Sequence, residues 1–371
     1  MTSPPPVVVL LGGPSAEHDV SIVSGTAIAA ALADQGYPVE QVLIDLDGSW
    51  WWLPAGHRRQ DRPTAEYDDP AGLGAESPIA VGAALDRLAA TDPAPVVAIA
   101  LHGPFGEDGT VQALLEAAGL AYTGSGVAAS AIGMDKTIFK RICRGIGLPV
   151  VDWREVTASR WASDPAAVRT ELAAFASAAG DPRLMIKPAR LGSSVGMTLV
   201  HDPSELDAAL ETAFRHDTLA LVETYVAGAR DLEVAIIGNG PELEQYGPGE
   251  IVSGHEFYDY AAKYTAGLSE TSTRAEVTDR QRATLLKIAR DAYRAIGAEG
   301  FARVDFLLAG ETIYLSEINT IPGFTPISLF PTMPAEAGYT FGAVCSKVVD
   351  LAVERHAARA RRRLTPADLP R

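Results

Sequence analysis

Phe301-Ala302-Arg303-Val304-Asp305-Phe306-Leu307-Leu308 and Thr312-Ile313-Tyr314-Leu315-Ser316-Glu317-Ile318-Asn319 flank Ala309-Gly310-Glu311 and alternate apolar with polar residues at a period of two. That alternation predicts an antiparallel hairpin, with Gly310 supplying a positive φ in its turn. A three-residue loop sets Arg303 opposite Glu317, with Asp305 diagonal to it and Asn319 two residues further along the same face. Two carboxylates, one amide and one guanidinium then converge, which are hard oxygen donors for Mg2+ beside a cation able to stabilise developing negative charge. A solvated face of paired charges would look the same on these four residues alone.

Further residues come from upstream. Lys187-Pro188-Ala189-Arg190-Leu191-Gly192-Ser193-Ser194-Val195-Gly196-Met197 follows a short strand, Leu184 to Lys187, and precedes another apolar run. Gly192 and Gly196 let the backbone approach phosphates, and Ser193 and Ser194 offer hydroxyls and N–H groups. A flexible turn is the alternative reading of the loop taken alone. Near the N-terminus, Val7 to Leu11 reads as a buried strand, Gly12-Gly13 as a turn, and Val20 to Ala33 as a helix closed at Gly36. Val96 to Leu101 is a second buried strand, followed by the loop His102-Gly103-Pro104-Phe105-Gly106-Glu107-Asp108-Gly109. These open an α/β layer, in which loops after strands hold ligands.

From Gly133 the pattern changes to a basic helix carrying Lys136, Lys140, Arg141 and Arg144, then a strand from Val150 and a helix started by Asp164-Pro165. Asp202-Pro203-Ser204-Glu205 opens the next helix with Asp202 as N-cap. Strands at Leu219 to Glu223 and Leu232 to Ile237, a polar loop from Tyr258 to Ala275, and a helix with Leu285, Ile288, Ala292 and Ile296 in one stripe complete an α+β unit. Asp61 to Glu76, rich in Pro, Gly and acid, reads as a surface insertion.

The chain has 371 residues, long enough for two or three domains. Its net charge of −16 disfavours a nucleic-acid surface, while a few local lysines can still hold a nucleotide. Two cysteines are too few for a disulfide framework and fit a reducing compartment. No window approaches a membrane span, and the first apolar run is too short for a signal segment, so a cytoplasmic location is expected. There is no Walker-type Gly-x-x-x-x-Gly-Lys-Ser/Thr run, and Gly124-Ser125-Gly126-Val127-Ala128-Ala129 lacks the acidic residue a dinucleotide site needs about 20 positions later.

Collinear segments then give a specific resemblance. Gly12-Gly13-Pro14-Ser15-Ala16-Glu17-His18-Asp19-Val20-Ser21, the His102 to Gly109 loop, Tyr122-Thr123-Gly124-Ser125-Gly126, Met134-Asp135-Lys136, the Lys187 to Met197 loop, Tyr258-Asp259-Tyr260-Ala261-Ala262-Lys263-Tyr264 and Glu317-Ile318-Asn319-Thr320-Ile321-Pro322-Gly323-Phe324-Thr325 together resemble the D-alanine–D-alanine ligases of the ATP-grasp superfamily. The resemblance implies an α/β and α+β protein: an ATP-grasp fold preceded by an N-terminal parallel α/β (pre-ATP-grasp) domain. Its expected segments are residues 1–124 for the N-terminal substrate domain, 125–223 for the central subdomain and 224–371 for the C-terminal subdomain with the metal and catalytic site.

It also implies a reaction in which one D-alanine is phosphorylated by ATP and then coupled to a second, for peptidoglycan precursors. Asp305, Glu317 and Asn319 are expected to hold two Mg2+, with Mn2+ an alternative. Arg303 and the N–H of Gly323 are expected at the oxyanion. Lys136, Lys187 and Lys263 match phosphate-binding lysines, and Ser194 belongs to the phosphate loop. Glu223 matches a purine-binding position, and Asp231 stands where the family has a ribose-binding Glu, with Glu233 a substitute. Glu17 matches the carboxylate that binds the first substrate's ammonium, linked through Ser193 to Tyr264, and Ser328 matches the residue that receives the second substrate's carboxylate. A homodimer is expected, with D-alanine and ATP as small-molecule partners and neither nucleic acid nor membrane.

D-alanine–D-serine or D-alanine–D-lactate ligation, and a catalytically silent nucleotide-binding module, are the alternatives that the motifs leave open. Bland readings hold for other conspicuous residues: a hydrogen-bonded structural role for His102, an early-helix acid at Glu107, a packed edge for Trp50-Trp51-Trp52, and the cationic end of a solvated helix for Arg355 to Arg363.

Overall fold

The protein is described from a computed structural model, in residues 3–253 and 269–361. Three sheets follow one another along the chain. The first contains β1 (Val7–Gly12), β2 (Val39–Ile44), β3 (Trp50–Trp52), β4 (Val96–Ile99) and β5 (Ala121–Tyr122) in the order β3-β2-β1-β4-β5. β2, β1, β4 and β5 are parallel and β3 adds an antiparallel edge. All of β1 is buried, as a parallel strand covered on both faces requires. Helix His18–Asp34 covers one side through Ile28 and Leu32, and Val344, Val348 and Ala352 of the last helix, Phe341–Ala360, join the same core. Trp50 and Trp52 are buried at the edge, as a packed edge predicts.

The second sheet holds β6 (Trp153–Thr157), β7 (Leu184–Pro188), β8 (Thr198–Val200) and β9 (Leu219–Thr224) in the antiparallel order β6-β9-β7-β8. Helices Pro165–Ala179 and Leu206–Phe214 cover it through Val168, Leu172 and Leu210. The Asp164 carboxylate accepts from the Ala167 N–H, a working N-cap. Two boundaries differ from expectation. Val150 makes only a bridge to Leu315, and the strand starts at Trp153. Asp202 caps a short 3-10 turn, Pro203–Glu205, before the helix proper.

The third sheet is antiparallel, with β10 (Arg230–Ile237), β11 (Glu244–Ser253), β12 (Ser269–Ser272), β13 (Phe301–Ala309) and β14 (Thr312–Asn319) in the order β12-β11-β10-β13-β14. Helix Asp279–Ala295 buries Leu285, Ile288 and Ala292 against it, and Phe139 and Cys143 of helix Lys136–Gly145 share that core. β11 escaped the sequence reading because Gly247, Pro248 and Gly249 interrupt its pattern.

The β13–β14 hairpin forms with a different register. Ala309 pairs with Thr312, so the turn is Gly310-Glu311, with Gly310 at φ +58°. A bulge after Asp305 then sets Asp305 opposite Glu317 and Arg303 opposite Asn319. The shorter turn and the bulge each move the register by one residue. Their sum is even, so Arg303, Asp305, Glu317 and Asn319 remain on one face.

Arg355 is a correction. It is not solvated but 4 % exposed, and its guanidinium donates to the carbonyls of Tyr122 (2.8 Å) and Gly124. The 61–76 segment is likewise anchored, because Tyr67 within it is fully buried and meets the His57 ring nitrogen at 2.8 Å. No helix among the described residues is long and apolar enough to cross a membrane.

Candidate functional site

Glu17 stands at the N-cap position of helix His18–Asp34 and is 5 % exposed. It accepts a hydrogen bond from the Ser193 hydroxyl, 176 residues away. Ser193 and Ser194 both have positive φ, +50° and +57°, so the glycine-rich loop is held in a strained shape. A Cβ on Gly103 or Gly192 would lie 2.6 Å or 2.8 Å from Glu17 Oε2, so both backbones close directly over this carboxylate. That oxygen is buried and has no hydrogen-bond partner among the described residues. An ammonium group would satisfy it.

Lys136 opens helix Lys136–Gly145, where Asp135 accepts from the Thr137 and Ile138 N–H groups. Its Nζ donates to the Leu191 carbonyl at 2.8 Å and lies 3.1 Å from Glu317. Lys187, the penultimate residue of β7, lies 2.6 Å from Glu223 on the neighbouring β9. Burial alone would lower the Lys187 pKa, but Glu223, Glu317 and Asp231 outweigh it and raise it. Burial would likewise raise Glu223, yet Lys140 and Lys187 hold it down at about 2. Asp231, on β10, therefore acts on Lys187 through space.

Arg303 binds Asp305 through two parallel bonds, Nε to Oδ1 and Nη2 to Oδ2, both 2.7 Å. Asn319 donates to Asp305 at 2.9 Å. Glu233, the alternative to Asp231 at the ribose, is 5 % exposed and 3.1 Å from Arg303 Nε. Asp305, Glu317 and Asn319 fit a divalent cation by donor type, two carboxylates and an amide oxygen on one face of the hairpin. A bound cation would share those carboxylates with Arg303 and Lys136. A small cleft lined by Lys136, Gly192, Glu317 and Asn319 joins these groups to the glycine-rich loop.

Gly323 and Ser328 lie together beyond β14. The Ser328 hydroxyl accepts from the Thr325 N–H at 3.1 Å, and a Cβ on Gly323 would come 3.4 Å from it. Lys263 and Tyr264, the remaining expected residues, lie outside the described residues.

His102 has the structural role expected of it, its ring nitrogens meeting Ser24 Oγ and the Ile321 carbonyl, each at 2.9 Å. Glu107 does more than order its own helix. It is buried and accepts from the N–H groups of Gly103 (2.8 Å) and Ile321 (3.3 Å), tying the first sheet's loop to the segment after β14. Burial, with the nearby charge of Glu17, raises its pKa from 4.5 to about 8. The unfolded chain loses this proton near 4.5 and the folded protein keeps it to about 8, so stability falls as pH rises across that window. Glu107→Gln stays uncharged but can accept only one of the two N–H bonds, so its melting temperature should lie below the wild type at low pH and the gap should narrow as pH rises to 8. Parallel curves would refute this. Lys140 was also missed. It is 1 % exposed and sits 2.5 Å from Glu223, and the signal available was a lysine on the face of its helix that also buries Phe139 and Cys143.

Comparisons with known proteins agree with this assembly. Residues 6–125 match the family description D-ala D-ala ligase N-terminus, and residues 142–350 match D-ala D-ala ligase C-terminus. A D-alanine–D-alanine ligase of Chlorobaculum tepidum is 37 % identical, with 94 % of this chain and 97 % of that protein covered. One from Streptomyces griseus is 38 % identical over 95 % and 93 %. Among solved structures, the D-alanine-D-alanine ligase of Coxiella burnetii has a TM-score of 0.79 at 30 % identity, covering 96 % of this chain and 97 % of its own. The VanG D-Ala:D-Ser ligase of Enterococcus faecalis has a TM-score of 0.78 at 28 % identity, covering 94 % and 99 %. With both halves matched in order and relatives aligned over nearly the whole length, the chain belongs to the D-alanine–D-alanine ligase family and has its ATP-grasp fold.

Proposed function

We propose that this protein joins two molecules of D-alanine at the expense of ATP, for peptidoglycan precursors. The observation that carries the reading is Glu17: a buried carboxylate with one oxygen on Ser193 of the glycine-rich loop and the other without a hydrogen-bond partner among the described residues. It supports an ammonium site directly beside a phosphate site.

A carboxylate is a poor electrophile, so activation precedes coupling. The first D-alanine is held by its ammonium on Glu17, and its carboxylate oxygen bonds to the γ-phosphorus while ADP leaves. The amine of the second D-alanine then attacks the acyl carbon, loses a proton, and phosphate departs. Arg303, steadied by Asp305 and Glu233, faces the developing oxyanion together with the Gly323 N–H. Lys136 and Lys187 bind phosphates, Ser194 contributes to their loop, and Glu223 and Asp231 lie toward the nucleoside. Ser328 receives the second carboxylate. Asp305, Glu317 and Asn319 would hold two Mg2+, which neutralise phosphate charge when bound. Lys263 and Tyr264 keep the roles that the resemblance implies. Residues 1–124, 125–223 and 224–371 are the corresponding functional segments.

The test is phosphate release coupled to mass spectrometry of the product. Release should require D-alanine and should not be supported by D-lactate, and equal rates with D-lactate would overturn the assignment. D-serine belongs in the same competition, because the D-Ala:D-Ser ligase structure is as similar in fold. The reading also makes the protein a cytoplasmic homodimer, for which light scattering should give twice the mass of the 371-residue chain.

A further inference from the structure

Among the described residues, Lys140 is buried as deeply as any charge the proposed reaction uses. Its side chain is 1 % exposed, and it pairs with a Glu223 that is equally buried, at 4 %. Its Nζ also sits 5.8 Å from the centre of the Trp153 ring. Burying an ammonium carries a large desolvation cost, and buried ion pairs can often be replaced by apolar side chains of similar volume without loss of stability. Stability therefore gives no reason for a lysine here.

The geometry gives one. Helix Lys136–Gly145 places Lys136 and Lys140 one turn apart on one face. Lys136 reaches Glu317 of β14, in the third sheet, while Lys140 reaches Glu223 of β9, in the second. Glu223 divides its oxygens: Oε1 lies 2.5 Å from Lys140 and Oε2 lies 2.6 Å from Lys187. In the sheet, Glu223 is opposite Met185 and Leu221 is opposite Lys187, so Lys187 and Glu223 are diagonal neighbours on one face. A carboxylate with both oxygens available would close on Lys187 from two sides and turn its N–H groups away from a phosphate.

We propose that Lys140 is a positioning residue for ATP. By occupying one oxygen of Glu223 it limits that carboxylate to a single contact with Lys187, and the remaining donors of Lys187 are left for the nucleotide. Lys140 itself touches no substrate. The inference rests on the ATP site proposed above and names the element that sets it.

The experiment is calorimetric binding of ATP, without D-alanine, to the full-length protein and to three variants: Lys140→Met, Glu223→Gln and the double variant. Methionine keeps the length of the lysine stem and removes its charge. Lys140→Met should weaken ATP roughly tenfold, about 1.4 kcal/mol. In the Glu223→Gln background the same change should cost less than about twofold, because the divided carboxylate is gone. In steady state Lys140→Met should raise the KM for ATP and leave the KM for D-alanine unchanged.

Equal losses in both backgrounds would mean that Lys140 acts as a distant charge, and would overturn the proposal. So would unchanged ATP affinity in Lys140→Met, or equal shifts in both KM values, which a purely structural lysine produces. If Lys140→Met fails to fold, the double variant, which leaves no lone buried carboxylate, is compared with Glu223→Gln. A tenfold difference between those two overturns the proposal, and equal affinity supports it. Wild-type protein that binds no ATP would count against the ATP site itself, a result distinct from all of these.

Discussion

Glu317→Ala is expected to leave a folded protein whose turnover has fallen by about a thousandfold or more. Glu317 is half-buried on β14, opposite Asp305, and its partner Lys136 lies 3.1 Å away at the start of its helix. Lys136 also holds the Leu191 carbonyl, so its loss of one partner is cushioned and the fold survives. On the proposed roles, what disappears is one of the two carboxylates that would hold Mg2+ and a partner of Lys136. Circular dichroism should match the wild type, and added Mg2+ should recover little of the rate. A variant that turns over near the wild-type rate would sink the metal assignment.

Arg303→Met is expected to fail in two separable ways. Turnover should fall about 10²–10³-fold, the cost of removing one group that stabilises an oxyanion. Stability should also fall by about 3–5 kcal/mol, because Glu233 and Asp305 both lose the guanidinium they share. Adding Glu233→Gln removes the more deeply buried of those two charges and should restore part of the stability while the rate stays low. Rescue of the rate along with the stability would show that Arg303 serves the fold alone. Chemical denaturation and single-turnover assays on the two proteins decide it.

The three sheets were legible wherever hydrophobic pattern and turn chemistry agreed. Val7–Gly12, Leu184–Pro188 and the β13–β14 hairpin are such cases. The face shared by Arg303, Asp305, Glu317 and Asn319 was legible too, since parity survives an even error, whereas the bulge after Asp305 has no local sequence mark. Glycine and proline hid β11 because they interrupt the alternation that reveals a strand. The ion pairs of Lys140, Glu233 and Arg303 were beyond reach for another reason: each joins residues from different elements, and a charged letter in a sequence carries no sign of its burial. Arg355 was misread in the same way, since a cationic helix end looks solvated until the carbonyls of Tyr122 and Gly124 are found against it.

The placement of helix Phe341–Ala360 over the first sheet has a consequence for synthesis. The residues that complete the core over Val7 and Val9, among them Val344, Val348 and Ala352, are made long after the first sheet's own strands. During synthesis Val7, Val9 and Leu32 therefore lack part of their final packing until helix Phe341–Ala360 has been made. A chain cut before Phe341 would leave that part of the core exposed, and it would also lack Arg355, which fastens the helix to the Tyr122 carbonyl.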